Sequence, residues 1–259
     1  MASLPGFDLS GKIALVTGGA KGIGAGIAEV LAEAGATVVI ADLDLAAAQE
    51  QASKLRDRGL AAHDVRLDLS DEQSIVTCVG TVEKRHGTPW ILVNNAGLQT
   101  REALLEGTSG HWAKIESVNG RGAFLMTREV AKRMVAAGQG GRIVNIASGA
   151  LRGGVIKGLA AYTASKGALA GLTLQSAFEL AEHGITANAV LPGAVITPGA
   201  IAAGTDTKVA AEGPASSRPR PFGFAEPRDI GHAVLYFASP AAGKVTNQEI
   251  CVDSGFSIG

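Results

Sequence analysis

Thr17-Gly18-Gly19-Ala20-Lys21-Gly22-Ile23-Gly24 follows directly on the apolar run Ile13–Thr17 and opens an alanine-rich stretch with helical spacing. Glycine suits such a strand-to-helix turn for a physical reason. Without a Cβ the backbone can turn tightly and let a phosphate come close. The helix that follows then offers free N–H groups and the positive end of its dipole to an anion. The spacing is G-x-x-x-G-x-G and no Gly-Lys-Ser/Thr follows, so this is not a P-loop. A structural strand–helix turn is the other reading. The second apolar run ends at Asp42, eighteen residues after Gly24, where a dinucleotide fold places an acid on the adenosine ribose hydroxyls. A carboxylate there also repels a 2′-phosphate, which favours NAD over NADP, whereas Lys21 inside the turn pulls weakly towards NADP. Asp68-Leu69, after the third apolar run, could hydrogen-bond an adenine amino group or merely cap a helix.

Working outward, short β-branched runs alternate with longer helical stretches. The strand candidates are Ile13–Thr17, Thr37–Ala41, Ala61–Leu67, Ile91–Asn94, Arg142–Ala147, Thr186–Leu191 and Glu249–Val252. They are nearly continuous apolar runs, as expected of strands covered on both faces of a parallel sheet. Helices are predicted over Gly22–Ala34, Leu45–Arg58, Asp71–His86, Ser109–Ala137, Ala160–His183 and Pro227–Ser239, with Ser70-Asp71-Glu72 as an N-cap cluster and Gly35, Gly59 and Gly184 as stops. This rhythm predicts an α/β fold, one doubly wound parallel sheet of about seven strands with helices on both faces, over residues 1–259 as a single domain. Only a stretch near residues 197–226, rich in proline, glycine, alanine and serine, breaks it. Too few residues follow for a second domain, so it reads as a lid over a site. Its larger apolar residues, Ile201, Phe222 and Phe224, hint at a moderately apolar or alicyclic substrate.

Composition narrows the function. Lys+Arg of 23 against Asp+Glu of 24 leaves a formal charge of −1, which gives no reason to expect nucleic acid or an anionic membrane as partner. A hydrophobic fraction of 46% with 18% charged residues excludes disorder. Two cysteines make no disulfide framework, and Cys78 and Cys251 read as small buried hydrophobes. With no signal peptide or transmembrane run in view, a cytoplasmic location is expected. The five histidines have no paired metal spacing, so no metal site is expected.

Tyr162-Thr163-Ala164-Ser165-Lys166 carries the chemistry. On a helix, Tyr162 and Lys166 share one face. A phenol with pKa near 10 is a poor base at neutral pH, and a neighbouring ammonium is expected to lower it, which makes the pair an acid/base for a carbinol proton. Ser148 follows a strand at the same sheet edge, where a hydroxyl can hydrogen-bond the reacting oxygen. Asn94-Asn95-Ala96-Gly97 ends another strand there, and Asn119 lies within the long helix beyond.

Together these residues, with Asn188-Ala189-Val190-Leu191-Pro192-Gly193 and Thr197, closely resemble the short-chain dehydrogenase/reductase family, in the family's order and over almost the whole chain. The resemblance implies a Rossmann-type oxidoreductase exchanging a hydride between NAD(H) and a secondary alcohol or ketone. Tyr162 would be the acid/base and also contact the cofactor, Ser148 would polarise the substrate oxygen, and Lys166 would hold the nicotinamide ribose and tune Tyr162. Asn119 would anchor a water in a proton relay. Gly18, Lys21, Gly22, Ile23, Gly24, Asp42, Asp68, Leu69, Asn94, Ala96 and Gly97 would line the cofactor channel, and Pro192, Gly193, Val195 and Thr197 would hold its nicotinamide end. Gln99 and Arg152 follow these motifs closely enough to line the substrate pocket. A homotetramer or dimer assembled through Ser109–Ala137 and Ala160–His183 is implied as well. Two departures stand out: Ser148 to Tyr162 is one residue longer than the usual spacing, and Asn247 and Ser254 replace usual glycines. An NADPH-dependent carbonyl or acyl-thioester ketoreductase is a second reading of the same site. A non-catalytic dinucleotide-binding sensor is a third, and the intact serine, tyrosine and lysine argue against it.

Overall fold

The computed structural model describes residues 5–197 and 221–258. Its seven strands are β1 (Ile13–Thr17), β2 (Thr37–Asp42), β3 (Ala62–Arg66), β4 (Ile91–Asn94), β5 (Gly141–Ile146), β6 (Ile185–Pro192) and β7 (Glu249–Val252). They form one sheet in the order β3-β2-β1-β4-β5-β6-β7, and every pairing is parallel. The order reverses between β1 and β4. In open parallel sheets the crevice beyond the strand carboxyl ends at such a point is where ligands bind.

Helices cover both faces, which explains the continuous apolar runs. Adjacent residues of each strand face opposite layers. Val16, Ile40 and Val93 pack with Ile27 and Leu31 of α1 (Gly22–Glu33) and with Val234 and Phe237 of α7 (Pro227–Ala238). Leu15, Val39, Leu92 and Ile143 pack with Ile75 and Val79 of α3 (Glu72–His86) and Met126 and Val130 of α5 (Ala123–Ala137). Between these lie α2 (Leu45–Asp57), α4 (Ser109–Glu116) and α6 (Ala160–Glu179). Asp44 and Asp71 cap α2 and α3, accepting from the Ala47 and Gln73 amides at 3.1 and 3.0 Å.

The structure departs from the sequence reading in three places. The single helix expected over 109–137 is α4 and α5 joined by a π-helical turn, Ser117–Gly122. Gly122 there lies so close to Leu69 that an added Cβ would sit 2.7 Å from the Leu69 carbonyl oxygen. The helix expected to run to His183 ends at Glu179 and continues as a 3-10 turn, Ala181–His183, closed by Gly184 at φ 69°. Cys251 is exposed rather than buried, because β7 is an edge strand with alternating exposure, while Cys78 is buried. Residues 198–220, which include Ile201, lie outside the described part of the expected lid. Either side of them, Val195 bridges Ala225 and the Ile196 amide donates to the Ala225 carbonyl at 3.3 Å. Phe222 and Phe224 are exposed.

Two glycines set how closely α1 and α7 approach. A Cβ on Gly26 would lie 2.5–2.7 Å from backbone and ring atoms of Pro227, and one on Gly231 would lie 2.9 Å from the Gly26 carbonyl oxygen. Gly26→Ala is therefore expected to lower stability by about 1–3 kcal/mol through overpacking, seen as a fall in Tm of about 2–4 °C per kcal/mol. An unchanged Tm would show that the seam can relax.

Candidate active site

The glycine turn sits at the carboxyl end of β1, and its conformation demands glycine. Gly18 and Gly22 have φ of 61° and 56°, a region costly for residues with a Cβ. Space excludes side chains too. A Cβ on Gly18 would lie 2.8 Å from the Cα of Ala96, and one on Gly24 only 2.1 Å from the Gly18 carbonyl oxygen. The turn is pinned to the end of β4 by two polar side chains. The Thr17 hydroxyl donates to the Val93 carbonyl at 3.2 Å and accepts the Asn95 and Ala96 amides at 3.0 and 3.1 Å. The Asn95 side chain donates to the Thr17 and Gly18 carbonyls at 2.9 and 3.0 Å. Lys21, the N-cap of α1, makes no side-chain cap, so the first-turn amides face a glycine-lined space uncapped. A dinucleotide pyrophosphate fits that cradle. Ile23 is half-buried beside it, and a Cβ on Gly22 would lie 3.2 Å from Thr197, so the strand-end segment Pro192–Thr197 reaches over the turn.

Asp42 ends β2 with its carboxylate held in place. It accepts the Ala20 and Asp44 amides, both at 3.1 Å. Lys21 is turned to Asp44, Nζ to Oδ2 at 2.9 Å, and that partner raises the lysine pKa. Asp68 accepts the Ser70 amide and hydroxyl at 3.0 and 2.6 Å, which hold its pKa below the usual range. Leu69 is buried against the π turn.

The second group gathers beyond β5. Ser148 is buried and accepts the Ala150 amide at 3.1 Å. Tyr162, in the first turn of α6, hydrogen-bonds Ser148; burial pushes its phenol above the ordinary value, and the Ser148 hydroxyl opposes that shift. Lys166 is 3% exposed, and its Nζ donates to the Ile146 carbonyl at 2.7 Å and lies 5.7 Å from the centre of the Tyr162 ring. Burial lowers its pKa to about 8. The expectation that the ammonium lowers the phenol is thus corrected: Lys166 faces a carbonyl, desolvation dominates at both groups, and Ser148 provides the opposing effect. Asn119, fully buried in the π turn, accepts the Leu98 amide at 2.7 Å and donates to the Leu98 carbonyl and Ser165 hydroxyl, both at 3.0 Å. Ser165 donates in turn to the Tyr162 carbonyl at 2.7 Å. The two groups meet at Gly97, where an added Cβ would lie 3.4 Å from Lys166 Nζ and 3.3 Å from Asn119 Oδ1.

Other expected site residues are placed differently. The Asn94 side chain does not reach the channel: its Nδ2 donates to Thr127 and Asn145 at 2.9 and 2.8 Å, and Asn145 donates on to Thr173. Alternation along the strand hands the work at the edge to Asn95, which sequence reasoning passed over along with Thr17 and Ser165. The Arg152 guanidinium, expected at the substrate pocket, pairs with Glu249. Gln99 is half-buried on the loop after β4. Gly193 has no room for a side chain, since a Cβ would lie 2.6 Å from the Asp253 Cα.

Comparison with known proteins matches this geometry. The short chain dehydrogenase family model covers residues 12–208. The chain is 37% identical to sorbitol dehydrogenase of Cereibacter sphaeroides, covering 95% of this chain and 98% of that protein. It is 35% identical to galactitol 2-dehydrogenase of Agrobacterium fabrum, over 95% and 98%. The crystal structure of a gluconate 5-dehydrogenase from Burkholderia cenocepacia, in complex with NADP and tartrate, superposes with a TM-score of 0.90 at 33% identity, covering 98% of both chains.

Ser148 is the group that lowers Tyr162. Ser148→Ala is therefore expected to move the alkaline inflection of the pH–rate profile upwards, besides reducing turnover. An inflection that stays in place would remove the coupling between the two hydroxyls.

Proposed function

The chain belongs to the short-chain dehydrogenase family, and from that premise we propose that it exchanges a hydride between NAD(H) and a secondary alcohol carbon of a small polyhydroxylated molecule. The observation that carries the reading is the Tyr162 phenol facing Ser148, with Lys166 Nζ 5.7 Å from the centre of the tyrosine ring and against Gly97, whose neighbour Ala96 packs on Gly18 of the glycine turn. The bound nicotinamide supplies the hydride acceptor or donor. In the oxidising direction Tyr162 would first pass its own proton to the relay at Asn119 and, as the phenolate, accept the substrate hydroxyl proton while the C–H hydride leaves and the C=O bond forms; in reduction the neutral phenol would donate its proton to the forming alkoxide. Ser148 donates a hydrogen bond to the substrate oxygen, which limits charge accumulation there. Lys166 reaches the cofactor ribose, and its pKa of about 8 leaves it mostly protonated at neutral pH. Asn119, with both amide atoms held, orders the backbone at Leu98 and anchors the proton's route outward.

The polyhydroxylated substrate is supported by the relatives, sorbitol and galactitol dehydrogenases. The hint of an apolar substrate loses its footing, since Phe222 and Phe224 are exposed. NAD is supported by the fixed Asp42 carboxylate and by the pairing of Lys21 with Asp44. The NADPH-linked reading is favoured by similar structures that hold NADP, the Burkholderia cenocepacia structure among them. Assembly as a homotetramer or dimer is supported by exposed apolar side chains on α4, α5 and α6, namely Trp112, Phe124, Leu174 and Phe178. No helix among the described residues is long and apolar enough to cross a membrane, and a cytoplasmic, single-domain enzyme remains our reading.

Tyr162→Phe is expected to cut nucleotide-linked oxidation of polyols by about 10²–10⁴-fold while leaving nucleotide affinity in place. Turnover near wild type would overturn the acid/base assignment. Wild type should use NAD in preference to NADP, and Asp42→Ala should narrow that ratio; an unaltered ratio would remove Asp42 as its cause, and a wild-type preference for NADP would point to the NADPH-linked reading.

A further inference from the structure

The glycine turn and the end of β2 carry opposing signals for the nucleotide, and one carboxylate stands between them. Asp42, the acid expected on the adenosine ribose, accepts the Ala20 amide on its Oδ2 at 3.1 Å. The next residue, Lys21, is the one cation of the turn. A lysine rooted one residue from that contact is placed to meet a phosphate on the same ribose. Its ammonium is turned elsewhere, with Nζ 2.9 Å from Asp44 Oδ2.

Asp44 is held by bonds of its own. Its amide donates to Asp42 Oδ1 at 3.1 Å, and its Oδ1 caps α2 by accepting the Ala47 amide at 3.1 Å. The oxygen facing Lys21 is the one that the cap leaves over. Capping alone does not call for this second bond: Asp71 caps α3 at 3.0 Å and makes no ion pair among the described residues. A carboxylate held by its own helix loses little rotamer freedom on pairing, which removes part of the cost that makes exposed ion pairs weak. Asp42 and Glu50 also act on Lys21 through space, but Glu50 has its own partner, Lys54, at 2.6 Å. The Lys21 and Asp44 side chains are 65% and 52% exposed, so a ligand can reach both.

We infer that Asp44 is a specificity-determining residue: its carboxylate occupies the ammonium that a nucleotide 2′-phosphate needs, so that a chain carrying Lys21 in its glycine turn still selects NAD. The inference deepens the function proposed above and rests on it for the identity of the nucleotide. Two neighbouring acids divide the task, Asp42 acting on the ribose and Asp44 on the lysine. A 2′-phosphate brought to this corner meets two carboxylates and a cation already neutralised.

Asp44→Asn removes the charge and keeps the cap, since asparagine caps helices as well as aspartate does. Calorimetric titration reads nucleotide binding apart from turnover. In Asp44→Asn the Kd for NADP is expected to fall by about threefold to tenfold, between the worth of an exposed ion pair and that of a charge-assisted hydrogen bond to phosphate. The Kd for NAD should change by less than about twofold. Asp44→Ser, which also caps, should act alike. Lys21→Ala should cost more NADP affinity in the Asp44→Asn background than in wild type. Equal costs in the two backgrounds would show Lys21 unmasked and overturn the inference, as would an unchanged Kd for NADP in Asp44→Asn. Adenosine 2′,5′-bisphosphate set against adenosine 5′-monophosphate should show the same shift. A shift confined to the dinucleotides would place its cause away from the 2′-phosphate and overturn the inference too. If these shifts appear while no Tyr162-dependent turnover does, the redox reading falls alone. A wild type that prefers NADP, or binds neither nucleotide, contradicts both.

Discussion

The ends of β1 and β4 approach so closely that a methyl group between Gly18 and Ala96 is excluded, and the rest of the site depends on that contact. The Thr17 hydroxyl and the Asn95 side chain fasten it with five hydrogen bonds across the two strand ends. Because the sheet reverses its order here, the helices that leave β1 and β4 diverge to opposite faces, and the crevice between them stays open. The glycine turn forms one wall. The Asn94–Leu98 segment forms the other and carries the contact onward to Asn119 and Lys166. A shift of this seam would move the nucleotide cradle relative to Tyr162.

Desolvation sets the electrostatics. The same burial that raises the Tyr162 phenol lowers the Lys166 ammonium, since each charged form loses hydration. The site therefore holds a neutral phenol beside a weakened cation, and hydrogen bonds from Ser148 and to the Ile146 carbonyl fix their positions. Such an arrangement favours proton exchange with a bound alcohol over a standing phenolate.

Most of the fold was legible because strands buried on both faces announce themselves as apolar runs, and glycines mark the helix ends. The π turn at Ser117–Gly122 was not: one extra residue within an otherwise helical pattern barely disturbs its periodicity, and only the backbone of the structure reveals it. Motif matching found Ser148, Tyr162, Lys166 and the glycine turn, but could not tell which of two adjacent asparagines faces the seam. That depends on strand parity at the last residue of β4. The pairing of Arg152 with Glu249 joins residues far apart in sequence, so it had no local signal. Asn247 and Ser254, flagged as departures from glycine, do adopt left-handed backbone, at φ of 54° and 56°.

The most direct measurement is calorimetric titration of NAD into wild type and Asn95→Ala, with the fold of each verified by circular dichroism. Release of the seam is expected to weaken nucleotide binding by at least about tenfold, the worth of roughly 1.4 kcal/mol, with the fold intact. Equal affinity in the two proteins, or no NAD binding by wild type, would contradict the account.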